Sequence, residues 1–123
     1  MPALEQTIRS AAAALTAETI TSEALTKAYL QQIQGMNNAL NAYITVSDQE
    51  ALTEAHASDE RRAQGRSRGL LDGIPLAIKD NILIKGVRAT GGSAILAEYV
   101  APTDATVIER LRSAGAVFIG KTN

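Results

Sequence analysis

The stretch Gly73-Ile74-Pro75-Leu76-Ala77-Ile78-Lys79-Asp80-Asn81-Ile82 decides how the rest of the chain is read. A glycine and a proline open it, a short apolar run follows, and an ammonium and a carboxylate stand where the run ends. An apolar run of this length, bounded by turn residues, reads as a buried strand over 75–79. Side chains alternate along a strand, so Ala77 and Lys79 share one face while Leu76 and Ile78 share the other. Downstream, Gly86 marks a turn and Gly91-Gly92 a loop, and Ser93 is placed to cap a short helix through Tyr99. Pro102-Thr103-Asp104 opens a further helix with Val107, Ile108, Leu111 and Ala114 inward, and Gly115 ends it. Val117-Phe118-Ile119 is a second buried strand. Strand, helix and strand from 75 to 119 form a parallel crossover, expected to be right-handed.

Upstream, the spacing of Leu4, Ile8, Ala11, Ala12 and Leu15 predicts a helix over 3–15. A second helix is expected over 22–34, capped by Thr21 or Ser22 and closed by Gly35. Residues 42–46 read as a strand by β-propensity. Ser47 and Glu50 have capping-box spacing for a charged helix that runs to about Ala63, with Leu52 and Ala55 as a thin apolar stripe. Gly65 to Gly69 is a loop. The class is therefore α/β, with helices before the first main strand.

With 123 residues the chain has room for one domain, and with 46% hydrophobic residues it has material for a core. That core is aliphatic, because Phe118 and three tyrosines are the only aromatic residues. A net charge of −1, with both signs interspersed, gives no footprint for nucleic acid or an anionic membrane. Without cysteine there is neither a disulfide framework nor a thiolate metal site. No secretory signal and no apolar run of membrane-spanning length are visible, so cytoplasmic residence is expected. Polar residues directly after the strand at 117–119 lead one to expect further elements, and a small sheet with unpaired edges reads as part of a larger domain.

Four groups of residues could carry chemistry. Lys79 reads two ways: a solvated lysine at a strand end, which is the plainer reading of its spacing, or a desolvated amine able to act as a base. The carboxyl ends of strands in α/β sheets are where ligands bind, which favours the second reading modestly. Gly91-Gly92-Ser93 is either a turn with Ser93 as a cap, the simpler reading, or a set of backbone N–H groups facing an anion. Ser93 lies in no nucleophile-elbow pattern, and His56, the one histidine, reads as an exposed side chain among Glu54, Ser58 and Asp59. Asp80 either accepts backbone N–H bonds at the strand end or pairs with a cation. No metal-binding and no cofactor-binding residues are assigned in this chain.

Residues 73–81 resemble the lysine motif of the amidase signature family. The resemblance continues through Gly86, Thr90 and Ser93 to the run Asp104–Asn123, and upstream it includes Leu40–Val46. Asn81-Ile82 after the Lys79-Asp80 pair, together with residues 94–111, resembles the glutaminase subunits of tRNA-dependent amidotransferases more than broad-range amidases. The resemblance implies one incomplete domain over 1–123: a helical part over about 1–65 and a lysine-bearing βαβ part over about 70–123. Its helices would pack on a mixed, largely parallel sheet that is incomplete in this chain. It implies a Ser–cis-Ser–Lys triad in which the lysine maps onto Lys79, and both serines are expected downstream of Asn123. Lys85 and Lys121, outside that strand-end position, serve as internal controls. A complete glutaminase of this kind would hydrolyse glutamine to ammonia. Its B and C partner subunits, in a heterotrimer, would use that ammonia, with ATP and Mg²⁺ in the partner, to amidate mischarged Glu-tRNA held mainly by the B partner. The 123-residue chain alone is expected to be inactive. A stand-alone amidase acting on small amides and a non-catalytic remnant are the competing readings.

Overall fold

In the computed structural model, residues 6–123 are described. The elements in chain order are α1 (Ile8–Thr16), α2 (Ser22–Leu40), β1 (Tyr43–Val46), α3 (Asp48–Ala63), β2 (Pro75–Lys79), α4 (Thr106–Ser113) and β3 (Val117–Thr122). The three strands form one mixed sheet in the order β1-β3-β2. Strand β2 runs parallel to β3, with Ile78 beside Lys121 and Lys79 beside Thr122. Strand β1 is antiparallel to β3, with Val46 opposite Gly120. The expected α/β class and the parallel pairing of the two apolar strands are both present. Strand β3 is longer than the expected 117–119 and carries Lys121 within it.

Capping chemistry sets the helix starts. Leu4 of the expected first helix lies outside the described residues; the helix itself begins at Ile8. Thr7 and Ser10 form a reciprocal box there, with Ser10 N–H donating to Thr7 Oγ1 at 3.1 Å and Thr7 N–H to Ser10 Oγ at 3.0 Å. Thr21 Oγ1 accepts the N–H of Ala24 at the start of α2. Ser22 is buried instead, its hydroxyl donating to the Gly73 carbonyl at 2.6 Å.

Gly35 does not end α2. The helix continues to Leu40 and closes at Asn41, which takes the left-handed φ of 51°. The propensity loss at one glycine, about 1 kcal/mol, is small beside tertiary anchoring of the following turn. Asn37 supplies such an anchor, bonding both the carbonyl and the N–H of Tyr43 in β1.

The expected Ser47–Glu50 capping box is absent: the Ser47 side chain caps nothing, and its N–H donates to Ile119 O at 3.0 Å. Helix α3 nevertheless runs to Ala63 as expected. It is applied to the sheet through small residues, Ala51 and Ala55, which pack against Val117. Glu54 on the same helix accepts the N–H of Phe118 at 2.9 Å.

Between 93 and 99 there are turns rather than the expected helix. The backbone there is engaged in a hairpin-like excursion, with Ala89 N–H donating to Tyr99 O and Ala101 N–H to Val87 O. Helix α4 starts at Thr106 rather than at Pro102, because Asp104 accepts from Lys85 N–H at 2.7 Å and from Arg112 Nε at 3.1 Å instead of capping. Val107, expected inward, is exposed, while Ile108 is fully buried. Burying an isoleucine completely contributes about 1.5–3 kcal/mol. Ile108 joins Ile78, Ile84, Ala116 and Phe118 in the core cluster under β2, and a second cluster holds α1 and α2 against Ile74.

Gly73 shows why the motif needs a glycine. Its φ is 83°, and a Cβ there would lie 2.5 Å from Ser58 Oγ and 2.8 Å from Ser22 Oγ. Helices α2 and α3 both close onto that one point, immediately before β2.

Candidate active site at the end of β2

Lys79 is the last residue of β2. Ile78 is buried, and Ala77 and Lys79 are exposed, so the alternation read from the sequence holds. Within this chain Lys79 is therefore the solvated strand-end lysine, not a desolvated one. Ala77, on the same face, lines an apolar groove of about 400 Å³ between the sheet and α2, whose wall includes Ile33, Met36, Tyr43 and Ile119.

The next residue behaves in the opposite way. Asp80 is only 2% exposed. It both accepts backbone N–H and meets a cation, so the two readings left open are both realised. Thr90 N–H donates to Asp80 Oδ2 at 3.0 Å, and the Thr90 hydroxyl donates to the same oxygen. Lys121 Nζ forms an ion pair with Asp80 Oδ1 at 3.2 Å. The directed hydrogen bond of that ammonium goes elsewhere, to the Arg88 carbonyl at 3.2 Å. Burial by itself pushes the Asp80 carboxyl up. The Thr90 bonds and the Lys121 charge outweigh it and hold the group below its usual 3.8.

Lys121 is thus no neutral control. It is fully buried, the largest such side chain among the described residues. Alternation alone would set Lys121 with Val117 and Ile119, but the pairing shifts register between Leu76–Phe118 and Ala77–Gly120, and Lys121 comes to stand beside Ile78, on the side of Asp80. Lys85, by contrast, is exposed.

The loop at 91–93 offers no anion cradle. Gly91 N–H donates to Asp80 O, Gly92 N–H to Thr90 Oγ1 and Ser93 N–H to Thr90 O, so all three donors are spent internally. The turn reading holds, with Gly91 and Gly92 at φ 58° and 73°. The Ser93 hydroxyl accepts from Ile95 N–H at 3.3 Å. His56 is exposed, as expected, but has company: its ring nitrogens lie 3.5 Å from Glu23 and 3.7 Å from Glu60. Among the described residues no group of acidic, histidine or cysteine side chains could hold a metal ion, and no helix is long and apolar enough to cross a membrane.

A second buried carboxylate braces the entry to the motif. Asp72 is fully buried and takes a two-pronged bond from Arg61, with Nη2 at 2.6 Å and Nε at 3.2 Å, plus the N–H of Arg68 at 2.8 Å. Burial opposes its charge, but these donors prevail and its carboxyl sits below 3.8.

The family model for amidases matches residues 24–123. The chain belongs to the amidase family. This amidase segment is 51% identical over 117 residues to the glutamyl-tRNA(Gln) amidotransferase A subunit of Chloroflexus aurantiacus, covering 95% of the chain and 24% of that protein. It is 44% identical to the protein of the same name from Thioalkalivibrio sulfidiphilus, again over 24% of its length. Among solved structures it superposes on the native peptide amidase of Stenotrophomonas maltophilia with a TM-score of 0.91 and 42% identity, covering 97% of the segment and 25% of that enzyme. An amidase family protein from Bacillus anthracis gives a TM-score of 0.88 at 28% identity. The segment therefore spans about a quarter of the length of the relatives it matches.

Proposed function

We propose that the polypeptide carrying this segment hydrolyses a carboxamide with Lys79 as its general base, and that it is the glutamine-hydrolysing subunit of a tRNA-dependent amidotransferase. The 51% identity to a glutamyl-tRNA(Gln) amidotransferase A subunit, spread over 95% of the chain, carries this reading. In it, Lys79 accepts a proton through a bridging serine while a second serine attacks the amide carbonyl. Both serines belong to the remaining length by which the relatives exceed this chain, and packing of that length over the exposed face of β2 would desolvate Lys79. The ammonia would pass to an amidating partner, formed by the B and C subunits, that binds ATP, Mg²⁺ and most of the tRNA. Residues 1–123 then form one incomplete domain, helical to about residue 65 and βαβ from about 70, in a cytoplasmic protein.

The 42% identity to a peptide amidase supports a second reading, a stand-alone amidase. Ammonia release from glutamine and from peptide amides by the full-length protein, with and without its partner subunits, separates the two. Turnover of glutamine that rises with the partners supports the first, and efficient peptide-amide hydrolysis without partners overturns it. No turnover of either amide, by a folded full-length protein with partners present, would leave the segment in a non-catalytic remnant.

A further inference from the structure

We infer that the buried Lys121–Asp80 pair, with Thr90, is a positioning device for Lys79; the inference rests on the reading of Lys79 as the base. Three stretches of chain meet at Asp80. The end of β3 accepts its N–H, through Thr122 O at 2.9 Å. The loop after Arg88 uses both its carbonyl, through Gly91 N–H at 3.0 Å, and its carboxylate, through the N–H and hydroxyl of Thr90. Lys121 meets its other carboxylate oxygen and ties the ammonium to the Arg88 carbonyl. Lys79 is bonded covalently to the residue so held, and its own carbonyl accepts Ile82 N–H at 3.0 Å. Its backbone is clamped on the C-terminal side while its side chain stays free on the open face of the sheet.

Stability does not explain such a cluster. Apolar residues of similar volume often hold a fold as well as a buried ion pair does or better. What the pair adds is direction. An aspartate bonded through its backbone to β3 and the loop, and through its carboxylate to Thr90 and Lys121, admits one relative placement of β2, β3 and the loop, where an apolar contact tolerates sliding. Lys121 and Asp80 touch no reacting atom in this scheme; they act through the place of Lys79.

The test uses the full-length amidase that carries residues 1–123. Lys121→Met and Thr90→Val are expected to lower kcat about 10- to 100-fold, with KM within about two-fold of the parent, as displacement of a reacting group by about 1 Å would. Thr90→Ser, which keeps the hydroxyl donor, is expected to recover most of the loss. Rates are taken per folded molecule, with circular dichroism and Tm recorded for each variant. Unchanged kcat in a folded Lys121→Met or Thr90→Val, with only Tm reduced, would make the cluster structural and overturn the inference. So would a Thr90→Ser as impaired as Thr90→Val. If Lys121→Met does not fold, the two Thr90 variants decide. Lys79→Ala is run alongside. If it keeps activity, the reading of Lys79 itself fails. If it loses activity while the Thr90 and Lys121 variants do not, the positioning inference fails alone.

Discussion

Lys79 and Asp80 are neighbours in sequence and opposites in environment: the lysine is exposed at the end of β2, and the aspartate is buried beneath it against Lys121 and Thr90. One residue step along a strand reverses the face, so a free amine and a fixed carboxylate come from adjacent positions.

In the complete enzyme, Lys79→Ala is expected to lower kcat/KM by about 10²- to 10⁴-fold, the range of a lost proton transfer. Lys79→Arg is expected to fail as well, because a guanidinium stays protonated and cannot serve as the base. Lys85→Ala is the control: Lys85 is exposed, and alanine keeps the backbone N–H that donates to Asp104. Near-normal activity in Lys79→Arg, with the fold confirmed by circular dichroism, would show that the position supplies charge and not basicity.

Acid is expected to release the Thr90 loop. The Asp80 carboxyl is held below 3.8, so the stabilisation it provides is fully present above that value and is lost as pH falls through the lower folded value. Hydrogen exchange of the peptide spanning 86–93, corrected for intrinsic rates, is expected to stay slow above pH 3.8 and to accelerate below it. Acceleration already complete at pH 5 would contradict the assignment.

Gly120→Ala is expected to weaken the join between β1 and β3. A Cβ at Gly120 would lie 2.5 Å from the Thr45 carbonyl oxygen and 2.9 Å from the Tyr43 ring. Overpacking of this kind costs about 1–3 kcal/mol. Chemical denaturation of the full-length protein measures it, and an unchanged midpoint and slope would refute the steric account.

The 123-residue chain on its own is expected to release no ammonia from glutamine and to self-associate. Strands β1 and β2 are both sheet edges, and Leu40, Leu70 and Ile95 are exposed at 62%, 57% and 94%. Sedimentation at increasing concentration checks the second point. A monodisperse monomer with one sharp thermal transition would count against it.

Strand β2 was legible from Pro75 to Lys79 because an apolar run between turn residues has few other readings. Helix ends were less so. Gly35 carries the local signal of a terminus, but the side chain of Asn37, bonded to Tyr43, holds the helix beyond it. Asp104 has the chemistry of a cap and spends it on Arg112 and on Lys85, the latter beyond the reach of a local window. The site divides in the same way. Lys79 stood out at the end of its run, whereas Lys121 entered only as a control, and it is the parallel pairing that sets it beside Ile78, next to Asp80. Partnerships across the sheet depend on register, and register is not written in either strand alone.

The strand order has a consequence for biosynthesis. Of these three strands the one made last is the middle one, so β1 and β2 have no neighbour among the described strands until residues 117–122 emerge. Tyr43 must wait for Thr122, a long-range closure of the kind that slows folding. Until then two nascent edges stand open, and shielding them falls to the helices already made or to a chaperone.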